Sequence, residues 1–165
     1  MNDVLTNEHN QTRTILESMI DVCNVHANRI QMANELLKEH TPFDAQKIKE
    51  MTPLELGMSD LLIHRFSKLQ DTIGDKIFPL YLTILGENIQ QLSFIDRLNL
   101  LEKLGILSST EQWRMYRFAR NAATHEYPDK MELMAENLNR IIALSIELIN
   151  FWLHFKNQIH ERLSK

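Results

Sequence analysis

Arg120, Asn121, His125 and Tyr127 place a permanent cation, an amide, a proton carrier for neutral pH and a phenol within eight residues, about two helical turns. Upstream, Arg114 and Arg117 continue a series of arginines at every third residue, and no acidic residue lies between Glu111 and Glu126 to neutralise them. Guanidinium forks recognise phosphate, aromatic rings offer faces to nucleobases, and imidazole exchanges a proton near pH 7. Together these types describe an RNA-handling site. In such a site His125 takes the proton of a ribose 2′-hydroxyl and Arg120 stabilises the charge building on the attacked phosphate. Asn121 holds the imidazole or a phosphate oxygen, and Arg114 and Arg117 join Arg120 in binding the RNA backbone. This chemistry calls for no metal and no cofactor.

A plainer use of the same residues stands beside this one. Arg120 and His125 near the end of a helix can cap its last carbonyls and meet its negative end, and the arginines can form a solvated face. Tyr127, next to Pro128, can simply close the end of the bundle as an amphipathic ring. Helical spacing adds a constraint. Arg117, Asn121 and His125 follow one another at offsets of about 40°, whereas Arg120 lies about 140° around from His125. Either the last turn unwinds before Pro128, or Arg120 reaches around on its long stem, or the arginine of one subunit meets the histidine of another.

The elements that must position these residues are helical. With 4 Gly and 4 Pro in 165 residues, 44% of them apolar, the chain has little material for hairpins and enough for a buried core. The fold class expected is all-α, an up-and-down bundle of four to five helices. The whole chain, 1–165, reads as one domain, with a first long helix and connector over 1–52 and a core over 53–163 that carries the motif. A net charge of −4 disfavours indiscriminate nucleic-acid binding and confines attraction to local clusters. Cys23 stands alone, which excludes an internal disulfide and suggests a small buried apolar residue. No basic-then-apolar leader opens the sequence, and the longest apolar stretch, 141–149, is interrupted by Glu147, so a soluble cytoplasmic protein is expected.

Along the chain, Ile15, Met19, Val22, Cys23, Ile30, Ala33 and Leu37 mark the buried face of a first helix over about 6–40. Pro42 and Pro53 break the chain around a short helical turn. A second long helix runs to Leu85, kinked by Pro79 and ended by Gly86. Ser93 caps a third, closed by Gly105, and Ser109 with Gln112 suggests a capping box for a fourth, starting near Thr110 and stopped by Pro128. A seam from Met131 through Leu138, Ser145 and Trp152 to Ile159 defines the last. His26 reads as a satisfied core residue, and Lys68 with Asp71 as a surface ion pair that can line the same cleft.

The run Arg120-Asn121-x-x-x-His125-x-Tyr127 on a penultimate helix resembles the RX4HXY form of the HEPN superfamily motif found in HepT-type toxins. The resemblance is specific over 114–128 and weaker over 58–160, where the segment 65–71 is also similar to a HepT helix. It implies a HEPN-like bundle and a metal-independent endoribonuclease acting as a homodimer, with the motifs of both subunits facing a shared cleft. Arg120 and His125 become the catalytic pair. Its implied partners are an RNA substrate and a minimal nucleotidyltransferase antitoxin that attaches AMP to Tyr127, adding charge and bulk beside the arginines. HEPN-like chains also include noncatalytic modules that only bind a nucleotidyltransferase, and that role is the alternative.

Overall fold

A computed structural model describes residues 2–123 and 130–164, the side chains of residues 2–9 excepted. All regular elements among the described residues are helical. They are α1 (Asn2–Leu37, continued by a 3-10 turn, Lys38–His40), α2 (Ala45–Glu50), α3 (Pro53–Thr72), a π-turn (Ile73–Ile77), α4 (Phe78–Ile84), α5 (Phe94–Lys103), α6 (Thr110–Ala123) and α7 (Met131–Leu163). The fold is an all-α bundle. Helices α1, α3 with α4, α6 and α7 run antiparallel in succession, as the pairings His40–Glu55 and His26–Arg65, Gln70–Arg120 and Phe78–Trp113, and Gln112–Glu147 and Ala122–Asn137 show, and α5 touches both α4 and α6.

Local chemistry sets the boundaries. Thr52 and Glu55 form a reciprocal capping box with Pro53 in the first turn of α3. Ser93 and Asp96 do the same for α5. Gly86 and Gly105, at φ 84° and 73°, supply the left-handed residues that stop α4 and α5. Pro79 acts further upstream than a simple kink. The chain widens into the π-turn before it, and the amide of Phe78 bonds back five residues to Ile73. This displaces the carbonyl that the proline ring would otherwise strike. Within that turn Gly74 lies against the indole of Trp113, where an added Cβ would stand 3.3 Å from Cζ2.

The buried side of α1 differs from the expected stripe. Leu16, Ile20, Cys23, Ala27, Ile30, Ala33 and Leu37 face inward, whereas Ile15 and Val22 are 44% and 36% exposed. With Val25, Met32 and Leu36 those two residues form a second, outward apolar line. A chain apolar on two sides gives periodicity no unique phase, which is why Ile15 was assignable to either face. Cys23 is fully buried, and burial pushes its thiol up to about 12. The seam of α7 is as periodicity requires, with Leu138, Ile141, Ser145, Leu148, Trp152, Phe155 and Ile159 buried. No helix among the described residues is long and apolar enough to cross a membrane.

Candidate functional site

Helix α6 carries Arg114, Arg117, Arg120 and Asn121, and its start is fixed from two directions. The Ser109 hydroxyl accepts from the amides of Glu111 and Gln112, and the Glu102 carboxylate of α5 accepts from the amide and hydroxyl of Thr110 at 2.7 and 2.6 Å. Gln112 does not complete the reciprocal box expected from sequence. Its amide accepts from Ser108 and donates to Glu147 of α7 instead. Trp113, Tyr116 and Ala119 are buried and seat α6 on the core, with Trp113 packed on Phe78 at 4.8 Å between ring centroids and edge-on to Tyr116 at 5.8 Å. These two aromatics are core residues rather than faces for nucleobases. Burial, with the nearby Glu147 carboxylate, pushes the Tyr116 phenol up to about 12.

Phe118 is the aromatic that α6 presents to solvent, at 65% exposure, with the Arg140 guanidinium 6.0 Å from its ring centroid. Sequence reasoning did not separate it from its neighbours. Its place on the helix, one turn from Arg114 and beside Arg117, was the available signal.

The three arginines find three different surroundings, so they do not make one unneutralised strip. Arg114 pairs with Glu111 at 3.4 Å, both side chains well exposed. Arg117 lies over the Phe94 ring of α5 at 4.5 Å, a cation on an aromatic face. Arg120 turns into the angle between α6 and α3. Its Nη1 donates to Gln70 Oε1 at 3.1 Å and forms an ion pair with Asp71. Its Nε and Nη2 both donate to Asn121 Oδ1, at 3.2 and 3.1 Å. Asp71 thus serves α6 across 49 residues of sequence, where spacing alone pointed to a local pair with Lys68. Gln70, at 2% exposure, was not identified from sequence; nothing in a helical repeat marks a buried amide as an arginine's acceptor.

A guanidinium has five N–H donors. Among the described residues, Gln70, Asp71 and the doubly accepting Asn121 engage four of them, and one Nη2 hydrogen has no acceptor there. The cation is therefore fixed in place, with a side chain only 19% exposed. It does not cap the end of its own helix. That task falls to Asn137 of α7, whose amide donates to the Ala122 carbonyl at 3.3 Å. His125 and Tyr127, the other half of the motif, lie outside the described residues.

Searches against protein-family models, curated proteins and solved structures give no match to this chain.

Proposed function

We propose that the protein is a HEPN-type endoribonuclease toxin of the HepT kind, cleaving RNA through Arg120 and His125. The observation that carries this reading is the sequence Arg120-x4-His125-x-Tyr127 running off the end of α6, with the Arg120 guanidinium already oriented by Gln70, Asp71 and Asn121. A cation held by the protein before substrate arrives does not have to reorganise as charge develops, which is where electrostatic catalysis gains most.

In the reaction, His125 accepts the 2′-hydroxyl proton and the 2′-oxygen attacks the adjacent phosphorus. The bond to the 5′-oxygen breaks, and that oxygen takes a proton as it leaves. The remaining Nη2 hydrogen of Arg120 meets the phosphate oxygens as their charge rises. Arg114 and Arg117 bind flanking phosphates, and Phe118 offers the one exposed ring of α6 to a base. A positioned base contributes roughly 10² to 10⁴ in rate and one aimed donor roughly 10² to 10³, a scale that suits a slow, growth-arresting nuclease. The partners that go with this reading are an RNA substrate, a second copy of the chain and a nucleotidyltransferase that modifies Tyr127 with AMP. The outward apolar line on α1 supports an associating surface. The cytoplasm is the compartment in which the reading operates.

A noncatalytic module that binds a nucleotidyltransferase is the second reading, and the near-saturation of Arg120 by its own protein favours it. One experiment separates the two. Purified parent and His125→Ala proteins are incubated with labelled single-stranded RNA, with folding checked by circular dichroism. The nuclease reading requires cleavage by the parent and its loss, by at least a hundredfold, in the folded variant. Equal rates of cleavage remove His125 from the chemistry, and an inert parent that still binds the nucleotidyltransferase supports the noncatalytic module.

A further inference from the structure

Outside the Arg120 site, a second group of basic side chains gathers where α1 meets α3. His26 and Arg29 come from successive turns of α1, and His64, Arg65 and Lys68 from one side of α3. The two helices are joined there by Arg65, whose Nη1 lies 3.2 Å from the Nδ1 of His26. Because arginine has only donors, that nitrogen must be the acceptor, and the imidazole is neutral in the free protein. Arg29, His64 and Lys68 are exposed, and His26 and Arg65 half-buried. Among the described residues no carboxylate pairs with any of the five. The nearest acidic residues on α3 are Asp60 and Asp71, each one turn beyond the group, and Asp71 is committed to Arg120.

In a chain of net charge −4, three permanent cations and two imidazoles without a counter-charge raise one another's energy. The effect registers on His26, whose pKa is held below its ordinary value by burial first and then by the positive charges of Arg65, His64, Lys68 and Arg29. Such a group repels protons and attracts anions. The buried Nε of Arg65 adds a donor that finds no acceptor among the described residues. From Arg65 to Asp71 the axial distance along α3 is about 9 Å. Lys68 and Asp71, three residues apart on α3, adjoin on one side of the helix, so the group borders the surface on which Arg120 is anchored.

We infer that His26, Arg29, Arg65 and Lys68 form a second phosphate-binding subsite, which holds the backbone of single-stranded RNA extending from Arg120 across α3 to α1. The inference rests on the nuclease reading for the identity of the polyanion. On binding, phosphate oxygens take the exposed donors of Arg29 and Lys68. His26 then gains a proton and turns from acceptor into donor.

The test uses a fluorescently labelled single-stranded RNA with a blocked 2′-hydroxyl at every position, so that binding is measured without cleavage. Its affinity is followed by anisotropy against salt for the parent and for Arg29→Gln/Lys68→Gln, both substitutions lying at exposed positions. Two lost phosphate contacts lower the magnitude of the log-log salt slope by about 1.4, with a several-fold weaker affinity. In parallel, the His26 ring titration is followed by NMR, with His26→Gln to assign it, and its pKa rises when the RNA is added. If the parent binds RNA but the double variant keeps its slope and the His26 titration stays in place, the subsite is refuted and the nuclease reading survives. If the parent binds no RNA, both fall. A His26 shift produced by inorganic tripolyphosphate but not by the RNA overturns the assignment to nucleic-acid backbone.

Discussion

Separating Arg120 from Asp71 tests whether the cation of the motif is fixed by its neighbours. The perturbation is a double-mutant cycle with Asp71→Ala, Arg120→Ala and the double substitution. The two side chains are 42% and 19% exposed, between a surface pair and a buried one. Exposed pairs contribute about 0.2–1 kcal/mol and hydrogen bonds to charged groups about 1.5–3 kcal/mol, so a coupling of about 1 kcal/mol is expected. Arg120→Ala also strands the buried Oε1 of Gln70, which adds about 1 kcal/mol to that single variant but cancels from the coupling. In urea, with a slope of about 2 kcal/mol per molar, Asp71→Ala lowers the midpoint by about 0.5 M. In a thermal scan a chain of this length loses about 2–4 °C per kcal/mol. Raising the salt to about 1 M, where the screening length falls to about 3 Å, reduces the coupling but leaves the Gln70 contribution in place. A coupling below about 0.3 kcal/mol, within the ordinary error of additivity, refutes the anchored cation and with it the argument that Arg120 is preorganised.

Phe118→Ala leaves stability within about 0.5 kcal/mol, since the ring is exposed, yet weakens single-stranded RNA binding by about 1–3 kcal/mol as anisotropy reads it; unchanged affinity removes the ring from the interface. After co-expression with its nucleotidyltransferase, mass spectrometry finds AMP on the peptide containing Tyr127, and an unmodified peptide beside an active partner counts against that regulation. Gly74→Leu destabilises by about 2 kcal/mol or more and alters Trp113 fluorescence, because the new side chain must enter the space the indole occupies. Tyr116→Phe is neutral or stabilising in urea, since among the described residues its buried hydroxyl makes no hydrogen bond of ordinary geometry, with the Gln112 side chain beside it. The raised phenol pKa means that the unfolded chain ionises first. Stability from Tyr116 is therefore complete below its ordinary value of 10.0 and declines as pH rises toward about 12, a loss absent from Tyr116→Phe.

What could be read from the sequence was whatever depends on residues close together in it. Thr52-Pro53, Ser93, Gly86 and Gly105 each act within one turn, through caps and left-handed residues, and the elements they bound lie where those signals put them. The seam of α7 was legible because its apolar steps of three and four run unbroken from Leu138 to Ile159, although Ile146 and Leu153 stand on the exposed side. Two apolar sides made α1 ambiguous, and the phase went to the inward set only through packing on α3. For the site, the motif residues themselves were visible, but their surroundings were not. Gln70 and Asp71 stand 50 and 49 residues from Arg120, and no periodicity within α6 reports on a helix that returns from so far away.

The three arginines look equivalent at spacings of three, yet each step of three turns the side chain about 60° short of a full revolution. Over six residues that drift carries the direction from Glu111 and solvent, past the Phe94 ring, to the α3 crevice. Their energetic roles diverge accordingly. Arg114 is a hydrated ion pair that RNA can break at little cost, and Arg117 brings a charge whose face is already covered by an aromatic. Arg120 is a charge whose position is decided before any ligand arrives. Neutralising Arg114 should therefore shallow the salt dependence of RNA binding by about 0.7 and leave the cleavage step alone, whereas Arg120→Lys keeps the charge but loses the fork that reaches Gln70, Asp71 and Asn121 together. If Arg120→Lys cleaves as fast as the parent, charge alone suffices at that position and the orientation supplied by α3 has no part in the chemistry.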